Sequence, residues 1–598
     1  MRTSLLPAVA AALLLASTAA RADDALHLGA ATLDRPTVMT LGVRWALTGD
    51  DNFDATVAVQ YRRTGTSAWT DGLPLYRVHA ELVAGNAATP EFAGSVFDLA
   101  PGTSYDIQLT AHDPDGGDMT TVLTQATRPV PASDPAHPNV VQVSNASELQ
   151  DALDAAQPGD VITLAAGTYA GEFTLDASGT ADDFIVIRGV DRDSVILDGG
   201  NAGGNVLAIE GSFTHVESLT LQHDNRALRF HGSPASDNVV RRVHAKDVVL
   251  GFGSNPQQQD FYLCDNVLEG RLSWPAVYAD DGGAHANDDG IHVEGDGHVV
   301  CHNALSGFGD ALKVETTGAR ADDFYGNDVN DAYDNAIELD QSQGNTRALR
   351  NRFTNAYMPI SFQPIFGGPA YAVRNLVINA VVEQVKIHND TVGPVVLNNT
   401  FMSAAYAFQV LDDTTAHAVV FTNNLWIGPA TPQGGRSVNW DQPVDPATDR
   451  LDFDGFYPDG QFHMGFGATG MNYPSFAALQ SGGSFEAHGR LVDGPTLFES
   501  GLVTPPSYTT NVPPPDGVLA AGSDAIDHGT VLPNVTDGFV GAAPDLGAVE
   551  RGCPSPIYGV RPAGVDETNE PLGCATSGSG AGGGATGAGG SGTGTGTG

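Results

Sequence analysis

From residue 139 to 551, apolar and polar positions alternate with a period of two in short runs such as Val396-Leu-Asn-Asn-Thr-Phe401, punctuated by Gly and Asn and free of helical spacing. A longer period overlies this one. Asn303, Asn327, Asn351, Asn375, Asn399 and Asn423 stand 24 residues apart, each followed two positions on by an apolar residue (Leu305, Val329, Phe353, Val377, Phe401, Leu425). Asn266 precedes Asn303 by 37 residues, one repeat plus a 13-residue insertion. Self-similarity at a fixed interval predicts a solenoid, and short strands at about 24 residues per turn predict an all-β parallel β-helix. The Asn column reads as a stacked ladder that bonds backbone in a turn. Residues 147–157 form an amphipathic segment, predicted to be a cap helix over the first open rung with Ser147 as N-cap.

Residues 24–130 alternate differently, in separate strands such as Thr56-Val-Ala-Val-Gln-Tyr61 and Tyr105-Asp-Ile-Gln-Leu-Thr110. They predict a β-sandwich with Trp45 and Trp69 in its core. The Pro-rich residues 131–138 predict a stiff linker. At the start, Met1-Arg2, the apolar run Leu5–Leu15 and Ala20-Arg21-Ala22 read as a signal peptide over 1–22, so a secreted or cell-surface protein is expected. No later stretch is long and apolar enough to span a membrane. Residues 552–574 are bracketed by Cys553 and Cys574, which export would allow to pair. Cys264 and Cys301 occupy matching contexts and should stack within the repeat. Residues 575–598 contain only Ser, Gly, Ala and Thr and predict a flexible tail.

Three stretches carry resemblances. Leu99-Ala-Pro-Gly-Thr-Ser-Tyr105 resembles the tyrosine corner of fibronectin type III domains, which implies an accessory module over 24–130. The segment at 147–157, followed by Pro158-Gly-Asp-Val-Ile-Thr-Leu164 and Gly167-Thr-Tyr-Ala-Gly171, is similar to the start of the chondroitinase-B and alginate lyase family of right-handed parallel β-helix proteins. Ser523-Asp-Ala-Ile-Asp527 and Pro544-Asp-Leu-Gly-Ala-Val-Glu550 look like the closing segment of secreted β-helix proteins. That resemblance implies a right-handed helix over 139–551 and a lyase with a Lys base and an Arg helper. The family's Glu-x-Glu and Lys spacing is not matched; Glu338-Leu-Asp340 is its nearest echo.

Composition narrows the partners. With 28 Lys+Arg against 71 Asp+Glu, the net charge of −43 argues against nucleic acid and anionic membrane surfaces. An acidic substrate would need local cations or a bound metal. A monomer is expected. Only three lysines exist, Lys246, Lys313 and Lys386, so the position of each matters.

The repeats align Asp289-Gly-Ile-His-Val-Glu294 with Asp310-Ala-Leu-Lys-Val-Glu315, Asn335-Ala-Ile-Glu-Leu-Asp340, Pro359-Ile-Ser-Phe-Gln363 and Gln384-Val-Lys-Ile-His388. Alternation then puts His292, Lys313, Glu338, Ser361, Lys386 and Gln409 in one outward row, with Glu294, Glu315, Asp340, Gln363 and His388 beside it. Glu294, Glu315, Glu338 and Asp340 form a carboxylate cluster that either takes Lys313 as counter-ion or holds Ca²⁺. Lys313, among acids, is the poorer base. Lys386, between Ser361 and Gln409, or His388 is the expected base, with His292 a further candidate. Arg350 and Arg374, with Gln363 and Gln409, are expected to bind a substrate carboxylate. The inserted loop at 280–289 would wall the groove or supply ligands.

The leading expectation is therefore a lyase acting on an acidic, uronate-containing polysaccharide. Asn287-Asp-Asp-Gly-Ile291 with Gly309-Asp310 resembles the paired-Asp region of polygalacturonases. However, Ala311 replaces the second Asp of the tandem pair, and neither Gly-His-Gly nor Arg-x-Lys follows. A C5-epimerase and a non-catalytic carbohydrate-binding protein complete the alternatives.

Overall fold

The computed structural model describes residues 23–574, apart from 84, 86, 87, 316, 317, 412, 413, 466–469 and 484. The signal peptide and tail expected at 1–22 and 575–598 lie outside the described residues. None of the described helices is long and apolar enough to cross a membrane.

Residues 26–126 form seven antiparallel strands in the spatial order Leu26–Leu33, Leu41–Gly49, Glu91–Val96, Thr70–Val78, Thr56–Arg63, Ser104–His112 and Met119–Ala126. Their inward positions build one core that includes Val43, Trp45, Phe92, Tyr105 and Ile107. The Tyr105 hydroxyl accepts from Ala100 N at 2.9 Å. Trp69 is not a core residue. It lies in the turn just ahead of Thr70–Val78, half-buried, with the Arg62 guanidinium 4.1 Å from its ring centre. The stretch at 131–138 is packed rather than free: Arg241 donates to Pro131 O and Ala132 O, and Arg188 pairs with Asp134.

From Asn139 the chain winds as a parallel β-helix. One ladder has thirteen parallel strands, from Asn139–Val143 to Arg450–Asp452. A second contains Val267–Glu269, Ala304–Phe308, Asp328–Ala332, Arg352–Ala356, Leu376–Ala380 and Thr400–Ser403, and a third contains Ile291–Val293, Leu312–Val314, Ile337–Glu338, Ile360–Ser361 and Val385–Lys386. Inward Leu, Ile, Val and Phe side chains fill the lumen as one continuous core. The helix Ala146–Asp154 closes the first rung with Leu149 and Leu153. Its N-cap is Asn145, not Ser147. Asn145 Oδ1 accepts from Glu148 N, and Glu148 reaches back to Ser144 N, so both early donors are satisfied two residues before Ser147 could serve.

The repeat register rests on the buried Asn column. Asn351 Oδ1 accepts from the backbone N and Nδ2 of Asn327, while Asn351 Nδ2 donates to Phe324 O and Asn375 Oδ1. The same pattern runs from Asn266 to Asn399. It then steps to Asn424, not Asn423, because that rung is one residue longer. Asn423 instead takes the left-handed turn position (φ 62) and bonds Asn398 and Thr530. Cys264 lies directly opposite Cys301 on adjacent rungs and is disulfide-bonded to it; Cys553 pairs with Cys574.

Two faces of this prism are covered by other parts of the chain. Val38, Met39, Leu73 and Phe97 of the sandwich pack on Tyr262, Val299, Tyr371 and Val395 of the first ladder. Val492, Leu519 and Leu546 pack on Leu376, Met402 and Leu425 of the second. The outward column of the third ladder carries polar and charged side chains instead.

Asn351→Ala removes four buried hydrogen bonds, leaves Asn327 donors unsatisfied, and should cost about 3–5 kcal/mol of stability. Equilibrium unfolding in denaturant measures it; an unchanged midpoint would refute a supporting role for the ladder.

Candidate functional site

The register of the third ladder sets the site. His292, Lys313, Glu338, Ser361 and Lys386 are successive partners across five rungs. Adjacent inward partners Ile291, Leu312, Ile337, Ile360 and Val385 are buried in the lumen. Gln409 follows on the next rung, where its N donates to Gln384 Oε1 and its strand partner is Asn439.

Lys313 is the centre of the acidic cluster. Its Nζ lies 3.0 Å from Glu315, 3.3 Å from Asp310, 3.4 Å from Glu338 and 3.8 Å from Asp289. Burial pushes its pKa down, but these four carboxylates outweigh burial and hold it above the ordinary lysine value. Of the cluster expected from sequence, Glu315 and Glu338 pair with Lys313. Glu294 lies on the His292 rung, 3.8 Å from His292 Nε2. Asp289 accepts or shares the His292 Nδ1 proton at 3.1 Å. Among the described residues, acidic, His or Cys triads with mutually close ligand atoms occur elsewhere, at Asp50, Asp54 and Asp113 and at Cys264, Cys301 and Glu567.

Three further carboxylates lie beyond the reach of Lys313 as ion-pair partner. Asp340 Oδ1 accepts from Ser361 Oγ at 2.8 Å and Gln363 N at 2.5 Å. Burial raises the Asp340 carboxyl to about 6 against the opposing charge of Lys386. Burial, then Asp310, raises Asp334 to about 7. Glu383 is fully buried and holds His388 Nε2 at 2.8 Å. Glu338 itself is pushed well above the usual range by burial and by Asp310 and Asp340. Apart from Glu383, which is held by His388, six carboxylates crowd two ammonium groups in a largely buried strip.

Lys386 does not have the neutral surroundings expected from Ser361 and Gln409. Burial pushes it down, but Asp340, Asp334, Glu338 and Asp310 reverse this and raise it. The row neighbours are indeed uncharged; Glu338 acts from two rungs back in the same row, and Asp310, Asp334 and Asp340 act from turns that flank the strands.

Arg350 and Arg374 are not at this site. Each occupies the left-handed residue (φ 51 and φ 56) immediately before a ladder Asn, at the corner between the first and second ladders. Arg350 pairs with Asp98 of the sandwich at 2.7 Å, and Arg374 donates to Val535 O and Ala548 O. They line a cavity of about 30 Å³ beside Cys553 and Cys574. Corner geometry points them at the covered faces, so they act in packing.

The inserted loop does wall the site. Gly309 N donates to Asp288 O, Tyr333 OH donates to Asp281, and Tyr278 stacks on Tyr357 at 5.8 Å. Asp334 and Glu383 were missed in the sequence, although Asp310 and Asp334 stand 24 residues apart and could have been found by that period.

No protein-family model and no characterised sequence matches the chain. Among solved structures, the pectate lyase Pel9A aligns over 70% of this chain and 99% of its own, at 15% identity and a TM-score of 0.37. An alginate lyase from Paenibacillus sp. str. FPU-7 aligns over 46% and 95%, at 19% identity and a TM-score of 0.34. The PL6 family alginate lyase AlyGC aligns over 53% and 43%, at 16% identity and a TM-score of 0.31. At these scores the likeness carries no statement about activity.

A carboxyl whose folded pKa is raised stabilises the fold below its unfolded value near 4, and that contribution is lost as pH rises through the folded value. Asp334→Asn should therefore gain about 1–3 kcal/mol on the wild type at about pH 8 and little at about pH 5, in chelator. Asp449, Asp454 and Glu486, raised by their own burial, contribute the same trend to both proteins and cancel in the difference. Equal differences at both pH values would refute the shift at Asp334.

Proposed function

We propose that this is an exported polysaccharide lyase that cleaves a uronate-containing glycan by β-elimination along the third face of the β-helix. The observation that carries the reading is the different state of two lysines in one column. Lys313 is committed to four carboxylates, whereas Lys386, three rungs on, is half-buried with no carboxylate in ion-pair range among the described residues. Three rungs span about 14 Å at 4.8 Å each, the scale of a short oligosaccharide.

Lys386 is assigned as base. As free amine it takes the proton on the carbon next to the uronate carboxylate, the electron pair forms the C4–C5 double bond, and the glycosidic C–O bond breaks. His388, fixed by Glu383, supplies the proton to the departing oxygen. Asp310, Asp334, Glu338 and Asp340 are the residues that would hold Ca²⁺: burial and neighbouring acids raise Asp334, Glu338 and Asp340, and a cation among them would relieve that repulsion. A bound Ca²⁺ would supply positive charge beside the substrate carboxylate. With those four carboxylates neutralised, burial is the influence left on Lys386, and it favours the free amine. The seven-stranded N-terminal unit, with its Tyr105 corner, serves as a fibronectin type III-like accessory module, and the protein acts as a monomer.

A hydrolase is the second reading. It is favoured by Glu338, whose burial among acids shifts it toward the protonated form a general acid requires, with Asp340 as its partner.

Incubation with pectate, alginate and glycosaminoglycans should generate the ultraviolet absorbance of a conjugated unsaturated uronate, and Lys386→Ala should lower turnover at least about 100-fold while leaving binding intact. Chelator should abolish turnover. New reducing ends without absorbance would replace elimination by hydrolysis, and binding without either would leave a carbohydrate-binding protein.

A further inference from the structure

We infer that Arg226 and Arg229 form a carboxylate-binding subsite at the N-terminal end of the same column, on the acidic glycan assigned above. The register of the third ladder continues upstream: Ala208, Arg229, Gly253 and His292 are successive partners. Arg229 therefore lies in the outward row that leads to Lys313 and Lys386, and Arg226 stands three residues before it on the same strand, Thr220–Phe230. Gly253 makes room for both. A Cβ built there would fall 1.9 Å from Arg226 Nη1 and 3.0 Å from Arg229 Nη1, so the two guanidinium groups converge over a bare backbone floor.

These arginines are unlike the others in their surroundings. Many other arginines pair with a carboxylate, as Arg188 and Arg241 do with Glu217, Arg347 with Asp323 and Arg561 with Asp265. Among the described residues, neither Arg226 nor Arg229 has a carboxylate within 4.0 Å. The Arg226 Nη1 is buried without a hydrogen-bond partner among them. Arg229 has one, from Nη2 to Asn255 Oδ1. Asp289 and Glu294, the acids whose charge reaches them, belong to the next rung, where Asp289 is engaged by His292. Burial and mutual repulsion lower the Arg226 pKa to about 10.

A chain with 71 acidic residues could have neutralised this pair and does not. Two converging guanidinium groups offer parallel N–H donors that match a planar carboxylate. The groups overhang the Gly253 rung, two rungs or about 10 Å from Lys313. The pair thus holds a uronate upstream of the sugar at the acidic cluster, and the row becomes a strip that alternates cationic and acidic positions along one glycan.

The test uses the full chain and binding, measured by calorimetry in chelator, of oligogalacturonate, oligomannuronate and hyaluronan oligosaccharides and their carboxyl-reduced forms. Arg226→Gln/Arg229→Gln should weaken wild-type binding of an oligouronate about ten- to a hundredfold and leave the reduced form unaffected. Gly253→Ala keeps both charges and the backbone conformation but drives a methyl group into the pair; it should weaken binding in the same sense, which guards against misfolding of the double variant. Wild-type binding to none of the oligouronates, equal binding of wild type and variants, or equal binding of reduced forms would overturn the subsite. Arginine-dependent binding without any unsaturated product would leave the subsite standing and remove the elimination chemistry. Cleavage with unchanged binding in the variants would do the reverse.

Discussion

The buried amide ladder from Asn266 to Asn424 is the constraint on which the rest of the molecule depends. Each amide bonds the backbone of the preceding rung and the amide of the next, so a one-residue slip anywhere would strand several buried donors. Strand register in a solenoid is otherwise weakly specified, because neighbouring rungs are chemically alike. By fixing it, the ladder also fixes which residues of distant repeats become neighbours. The alignment of His292, Lys313, Glu338, Ser361 and Lys386 follows from that register.

The second determinant is what covers each face. A sheet whose inner side fills the lumen still presents an outer side, and here two of three outer sides are closed by apolar packing, from the sandwich and from the segment after residue 490. Polar groups on those faces serve the contacts, as in the buried Arg347–Asp323 pair and the Arg561 network with Asp265 and Glu567. The third face keeps its charged column. Packing six carboxylates around two lysines is unfavourable for folding unless protons or cations enter, and groups under that kind of electrostatic strain are the ones suited to proton transfer.

The three lysines illustrate how far sequence reasoning reaches. Alternation set Lys313 and Lys386 in one row and left open whether Lys313 or a cation balances the acidic cluster; in the structure Lys313 pairs with four carboxylates. It misjudged Lys386, whose environment is set by Asp334 and Asp340, residues that flank strands rather than occupy them. Arg350 and Arg374, expected to bind a substrate carboxylate, instead sit at left-handed corner positions beside the covered faces, where Arg350 pairs with Asp98. Asn145 rather than Ser147 capping the first helix, and Asn424 rather than Asn423 ending the ladder, are two- and one-residue shifts decided by which donor was left unsatisfied.

By itself the sequence determined the all-β class, the 24-residue turn, the division into sandwich and β-helix, and the identity of the outward row, because each follows from periodicity and periodicity is local. Only the tertiary structure decided which face stays charged, which acids reach each lysine, and that Arg226 and Arg229 are left without counter-ions. Those properties depend on burial and on distances between residues in different turns, and neither quantity is carried by spacing along the chain.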